Sequence, residues 1–294
     1  MKNYHFAFFG TSNFSVIVLE ELKQKGFLPT LIITVPDKPK GRKLILTPPE
    51  VKIWAEKENI PCIQPATLKN SDIVSEINSF APENSFDFFI VVSYGKIIPD
   101  NILNMSKLGS LNVHPSLLPK LRGPSPIQSA ILSENETGVT IMKLDAEIDH
   151  GPIITQKKTS SWDDDTVPYE EDLEKELGKR GGQILSEILP DWVDGKIKEV
   201  EQNHNTATFC QKIEKSSGEL NLNDSSEKNL RKIRAYHKWP GAYYFVENHG
   251  HKMRIIVKRA RIEDGKLIIE RVVPEGKKEV DYNNFLNGLK NKEQ

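Results

Sequence analysis

The chain has 294 residues, a length that suits two domains better than one core. Its 37% hydrophobic and 28% charged residues fit a soluble globular protein, and the lack of any apolar run of about 18 residues excludes a membrane-spanning helix. Its two cysteines, Cys62 and Cys210, can build neither a disulfide framework nor a zinc cluster, and the net charge of −1 names no partner by itself.

Apolar patterning alternates strand and helix along the first half. Residues 4–9 form a short aromatic run, too brief for a signal-peptide core, and are expected to be a buried strand. Residues 14–25 repeat apolar side chains at helical spacing, and residues 30–35 are continuous and β-branched. Helices are predicted at 50–57, after Pro48-Pro49, and at 71–79. Residues 87–93 read as a strand buried on both faces. A helix at 97–106, a strand at 109–113 and a helix at 126–133 follow, with Ser125 expected to cap that helix and Pro126 to open it. Strands at 138–144 and 153–158 precede a long helix at 169–189, which Pro190 is expected to end. This order implies a Rossmann-like, doubly wound, mostly parallel α/β sheet, whose sites lie beyond the carboxyl ends of its strands.

Residues 194–206 are polar and weakly patterned and are taken as the linker between domains at 1–193 and 207–294. A helix at 229–235 and strands at 243–246, 254–258 and 267–272, with turns at 248–250 and 264–265, fit a smaller, β-barrel-like second domain. The last residues, 291–294, are expected to fray. Charge divides along the same line. Residues 1–206 hold 22 Lys and Arg against 29 Asp and Glu, whereas residues 207–294 hold 18 against 12. Between Lys228 and Arg261 ten basic residues face a single acid, Glu247, which suggests a polyanionic partner for the second domain.

The strongest local chemistry is Asn112-Val113-His114-Pro115. Side chains at i and i+2 share a face of a strand, so Asn112 and His114 point together, and Pro115 stops the pairing just beyond them. An amide that can donate to an oxyanion beside an imidazole that can move a proton is a pair suited to acyl transfer. The stiff segment from Ser116 to Gln128 follows, with prolines at 119, 124 and 126. A carboxylate to orient the imidazole could come from Asp145, Glu147 or Asp149, and Asp149 leads into the tight turn His150-Gly151-Pro152. No cluster with metal-ligand spacing occurs, so no metal is expected.

These pieces, in order, resemble the methionyl-tRNA formyltransferases over nearly the whole chain. The resemblance is carried by Phe8-Phe9-Gly10-Thr11-Ser12-Asn13-Phe14, Pro36-Asp37-Lys38-Pro39-Lys40-Gly41-Arg42, Val91-Val92-Ser93-Tyr94-Gly95-Lys96-Ile97-Ile98-Pro99 and the segment from Asn112 to Gln128. Glu136-Thr137-Gly138-Val139-Thr140-Ile141-Met142, Ile148-Asp149-His150-Gly151, Ile233-Arg234-Ala235-Tyr236 and Trp239-Pro240-Gly241-Ala242 continue it. It implies that Asn112, His114 and Asp149 are a catalytic trio and that the formyl donor is 10-formyltetrahydrofolate. The folate would be bordered by Ser93, Tyr94, Gly95, Ile97 and Ile98, and by Ser116, Leu117, Leu118 and Pro119. It implies a mobile basic loop at 36–48 whose Lys38, Lys40, Arg42 and Lys43 meet the acceptor end of initiator methionyl-tRNA. An OB-like second domain would add Arg231, Arg234 and Lys238. A cytoplasmic monomer is the expectation. The region after Trp239 is shorter than in the family, and its end matches weakly.

Rival readings share the first domain. A sugar amine N-formyltransferase would use the same trio, but Gln128 and the basic second half count against it. Glycinamide ribonucleotide formyltransferases resemble only a one-domain version, and a formylfolate hydrolase would take water as acceptor. A dinucleotide oxidoreductase lacks its phosphate turn, because the first strand leads into Gly10-Thr11-Ser12-Asn13 without Gly-x-Gly-x-x-Gly. A non-catalytic RNA-binding module would explain the basic stretch but leave Asn112, His114 and Asp149 idle.

Overall fold

A computed structural model describes residues 4–41, 43–82, 85–164, 166–248 and 250–290. The chain divides into two units. The first comprises Met1–Pro124, Gly138–Thr159 and Lys175–Phe209, and the second Ser125–Thr137, Ser160–Glu174 and Cys210–Gln294.

Apolar runs set the first unit. Strand β1 (Phe6–Gly10) is buried along its whole length and leads into α1 (Asn13–Gln24), which buries Phe14, Val18, Leu19 and Leu22 at helical spacing. Strand β2 (Leu31–Ile33) follows, then an exposed hairpin, β3 (Lys38–Lys40) and β4 (Ile45–Thr47), where the sequence predicts only loop. Helix α2 (Glu50–Lys57), the short strand β5 (Cys62–Ile63) and α3 (Ser71–Ser79) precede β6 (Phe88–Val92), again wholly buried. The helix expected over residues 97–106 shrinks to α4 (Asp100–Leu103). Pro99 disfavours helical backbone at Ile98, and the Ser106 hydroxyl turns back to the Gly109 carbonyl at 2.8 Å. Strand β7 (Ser110–His114) comes next, then helix α5 (Pro126–Ser133), which belongs to the second unit, and strands β8 (Glu136–Lys143) and β9 (Ile153–Ser161). Helix α6 (Glu170–Val193) runs through Pro190 instead of ending there. Only the last turn meets the proline, and buried Leu185, Leu189 and Trp192 hold that turn down, Trp192 edge-on to Phe88 at 5.7 Å.

The sheet order is β5-β2-β1-β6-β7-β8-β9, with β1, β2, β5, β6 and β7 parallel and β8 antiparallel to β7. The chain winds outward from β1 through β2 to β5, then returns to the other side of β1 with β6. That reversal is the topological switch point of a Rossmann-like sheet, where such folds leave a crevice at the strand ends. Residues 194–206, read as a linker, belong to this unit: Val200 pairs with Ile153, and Gln202 is buried. Backbone and amide bonds hold the segment, so it has no apolar stripe to read.

In the second unit, helix α7 (Ser226–Ala235) precedes an antiparallel sheet of β10 (Ala242–Asn248), β11 (His251–Glu263), β12 (Lys266–Pro274) and β13 (Val280–Asp281), and α8 (Tyr282–Lys290) follows. This sheet stands where the sequence predicts a small barrel-like domain. A register shift between Val257 and Arg259 marks a bulge, the device that bends such strands. Its core gathers Leu230 and Ile233 of α7, Ala242 and Tyr244 of β10, Ile255 and Val257 of β11, Val272 of β12 and Phe285 of α8. Residues 291–294, expected to fray, lie outside the described residues. Among the described residues no helix is long and apolar enough to cross a membrane.

One buried acid of this unit gives a stability prediction. Glu170 is 8% exposed; one carboxylate oxygen accepts from Gln128 Nε2 at 3.1 Å and the other is buried without a partner. Burial pushes its pKa up to about 7. Between about pH 4.5 and 7 the folded chain therefore holds a proton that the unfolded chain has lost, so stability falls as pH rises through that window. Glu170→Gln is expected to gain up to ~3 kcal/mol over the parent at pH 8, and much less at pH 4.5, in urea unfolding at the two pH values. An equal difference at both would refute the buried-acid account.

Candidate active site

Strand β7 sits beside β6 and β8, with Asn112 registered to Val91 on one side and Met142 on the other, and His114 opposite Thr140. Its alternation separates polar from apolar groups. Val113 faces the helix layer, where Gly181 of α6 approaches so closely that an added Cβ would stand 2.7 Å from Val113 Cγ1. Asn112 and His114 take the other face and are only 9% and 3% exposed.

Asp149 completes the cluster. Asn112 Nδ2 donates to its Oδ1 at 3.3 Å, His114 Nδ1 lies 3.5 Å from the same oxygen, and the Gly123 amide donates to Oδ2 at 2.8 Å. On the far side of the ring, His114 Nε2 is 3.0 Å from the Leu121 carbonyl. A carbonyl only accepts, so Nε2 carries the hydrogen there, and both nitrogens donate only in the doubly protonated ring. Of the three carboxylates the sequence leaves open, Asp145 instead binds His150 Nδ1 at 2.7 Å, and Glu147 lies on the exposed side of that loop.

The backbone here is unusual. Asp149 has φ +51° and Leu121 φ +59°, both in the left-handed region, so the carboxylate and the carbonyl that flank His114 each come from a strained residue. Neighbouring bonds hold them. Gly151 lets the Asp149 turn close, since a Cβ there would lie 2.1 Å from the Lys143 carbonyl. Leu121 is tied by its amide to Thr208 Oγ1 at 2.9 Å, and the amide of Arg122 to the Thr208 carbonyl at 2.9 Å. The loop before it is pinned as well: Thr140 Oγ1 donates to the Ser116 carbonyl at 2.7 Å, and Gln156 Nε2 donates to the Leu118 carbonyl at 2.8 Å. Thr140, Gln156 and Thr208 are residues that pattern reading misses, because each acts through a backbone group distant in sequence.

The structure sorts the other predicted site residues. Past the end of β6, Ser93, Gly95 and Ile97 are exposed, Ile97 by 82%, and Ile98 is half-buried. Tyr94 is 2% exposed, packs edge-on against Phe9 at 5.5 Å, and burial pushes its phenol up to about 12. Ser116 and Leu118 are also buried, with the Ser116 hydroxyl donating to the Lys120 carbonyl at 2.6 Å, while Leu117 and Pro119 are half-buried. Lys38, Lys40 and Lys43 lie exposed on and beside the β3–β4 hairpin, and Arg42 lies outside the described residues. Arg231, Arg234 and Lys238 differ from a free basic face. Arg231 binds Asp164 at 2.8 Å and the Ile131 and Glu134 carbonyls at the end of α5, Arg234 binds the Val167 carbonyl and lies over Tyr169, and Lys238 pairs with Glu174 at 2.6 Å. Each of the three has its partners within the second unit. Ser125 likewise makes no side-chain cap; its hydroxyl donates to the Gln211 carbonyl at 2.6 Å. Among the described residues no group of three or more His, Cys, Asp or Glu forms a metal site.

The chain is similar to known proteins over most of its length. A formyl transferase family model matches residues 2–189, and a formyl transferase C-terminal domain model matches residues 212–266. A Thermotoga maritima protein named methionyl-tRNA formyltransferase is 40% identical over 244 residues, covering 82% of this chain and 75% of that relative. One of the same name from Thermodesulfovibrio yellowstonii is 36% identical over 301 residues, covering 96% and 95%. Among solved structures, a 4-N formyltransferase from Francisella tularensis superposes with TM-score 0.64 at 18% identity, covering 88% of this chain and 99% of that one. A methionyl-tRNA formyltransferase from Clostridium thermocellum superposes with TM-score 0.59 at 18% identity, covering 95% and 99%. At such identity the structures speak for the fold, and the family models and sequence relatives for descent: the chain belongs to the formyl transferase family and is a formyl-transferring enzyme.

Proposed function

We propose that this chain transfers the formyl group of 10-formyltetrahydrofolate to the α-amine of methionyl-tRNA, and that Asn112, His114 and Asp149 carry the reaction. The observation that bears most weight is the meeting of these three side chains at the buried end of β7, in a chain 36–40% identical to relatives bearing the methionyl-tRNA formyltransferase name. The exposed residues at the end of β6, above all Ser93, Gly95 and Ile97, are the surface on which the donor would lie. Lys38, Lys40 and Lys43 on the exposed hairpin suit phosphate contacts, which position a nucleic acid without reading its bases.

In this reading the neutral α-amine attacks the formyl carbon; such amines titrate near pH ~8, so a useful unprotonated fraction exists at neutrality. The carbonyl oxygen gains charge as the tetrahedral intermediate forms. Asn112 Nδ2 and the Nδ1–H of His114 are the donors beside it, held in place before reaction. Asp149 keeps the ring oriented and balances an imidazolium, while the Leu121 carbonyl locks Nε2. As the intermediate collapses the C–N bond to folate breaks, the departing nitrogen takes up a proton from His114, and the ring recovers one from the ammonium formed by the attacking amine.

The decisive experiment supplies 10-formyltetrahydrofolate with methionyl-tRNA or with an amino-sugar nucleotide and follows formylation of each amine. Transfer to methionyl-tRNA at least a hundredfold faster in kcat/KM is the expected result. Transfer to the sugar alone would sink the tRNA reading. The same reading takes the enzyme to be a cytoplasmic monomer, for which sedimentation should return a single species of about 33.4 kDa.

A further inference from the structure

We propose that Gln202, backed by Arg122, is a positioning residue that holds the Asp149 turn in its reactive geometry; the inference rests on the reading of Asp149 as the site's carboxylate. Gln202 is 5% exposed, and its amide is fully engaged. Nε2 donates to the carbonyl of Asp149 at 3.0 Å and to that of Gly151 at 2.8 Å, so one side chain grips the turn on both sides of His150. Oε1 accepts from Arg122 Nε at 3.2 Å and Nη2 at 2.7 Å. A buried guanidinium donating to the amide oxygen fixes which end of Gln202 faces the turn, because an inverted amide would set its oxygen against two carbonyls.

The turn needs such a hold. Asp149 sits at φ +51°, a conformation that costs an L-residue roughly 1–2 kcal/mol. Without a donor the Asp149 and Gly151 carbonyls would lose partners in a buried place, and the turn would relax toward ordinary backbone. Arg122 then links the two sides of the site. Its neighbour Gly123 donates to the Asp149 carboxylate, while its own side chain holds the residue that grips the Asp149 carbonyl. The Arg122 Nη2 also meets His204 Nδ1 at 2.9 Å, and the His204 ring stacks on His150 at 4.0 Å, so the segment after Val200 closes over the turn from outside. A polar network this buried is a costly way to fill space and an effective way to specify one geometry.

The test compares Gln202→Met, which keeps the bulk and loses every hydrogen bond, with Gln202→Glu, which keeps the acceptor for Arg122 and loses the donors. Single-turnover formyl transfer is measured for each, alone and in an Asp149→Asn background, with urea unfolding alongside. Both single variants are expected to lose about 10–100-fold in kcat with donor KM within about twofold, a loss typical of a displaced reacting group. Neither is expected to lower the rate further in the Asp149→Asn background, since Gln202 acts through Asp149. An unchanged kcat in both variants overturns the proposal, and so does an equal loss in both backgrounds, which marks general structural support. Full activity in Asp149→Asn alone would instead overturn the catalytic reading of the carboxylate.

Discussion

His114→Ala is expected to lower kcat about 10²–10⁴-fold while leaving the affinity for 10-formyltetrahydrofolate within a few-fold. The imidazole is 3% exposed and anchored by the Leu121 carbonyl, so little of it is left to bind substrate. What it offers is a ring nitrogen, Nδ1, 3.5 Å from the Asp149 carboxylate, which carries a proton in the doubly protonated ring. Removing it takes away both the oxyanion donor and the route of the proton to the leaving nitrogen, neither of which matters in the ground state. Single-turnover rates and direct measurement of donor binding separate the two effects. A fall in binding with an unchanged rate on the bound donor would show that His114 shapes the pocket and does not take part in transfer.

Asn112→Ala should cost about 10²–10³-fold in kcat, the usual loss of one oxyanion donor and ~2.7–4 kcal/mol of transition-state stabilisation. The amide has a second task, donating to Asp149 Oδ1 at 3.3 Å, which separates two substitutions. Asn112→Asp keeps the shape but replaces that donor with a carboxylate beside another carboxylate, so it is expected to be at least as slow as Asn112→Ala. If Asn112→Asp retained near-parental rates, hydrogen-bond donation from this position would be irrelevant to the reaction. Because Asn112, His114 and Asp149 share one oxygen, their losses should fall well short of additive in double variants.

How much of this was legible beforehand follows from the range of the forces involved. Helices α2, α3 and α5 begin and end where punctuation and periodicity place them, because prolines and the apolar spacing are local. The wholly buried β1 and β6 are equally plain as continuous apolar runs. Periodicity overreached at residues 97–106, where Pro99 allows only one turn, and Pro190 was too strict a stop for a helix pinned by Trp192. The β3–β4 hairpin escaped because nothing in its exposed side chains alternates with burial.

The amino-acid sequence by itself determined that Asn112 and His114 share one face at a strand's end, since the two-residue repeat of a strand and the stop at Pro115 leave no other arrangement. It also determined the α/β class and the place of descent, through motifs whose order survives along the chain. Spacing alone left Asp145, Glu147 and Asp149 open and the resemblance implied Asp149; the tertiary structure brings Asp149 to the imidazole through a left-handed turn that closes against Lys143. It decided, too, that a polar stretch read as a linker supplies Gln202 to the site, with Thr208 joining from just beyond it, and that Arg231, Arg234 and Lys238 bind within their own unit. Hydrogen bonds to a backbone far away in sequence leave no periodic mark, so they become visible only when the chain is folded.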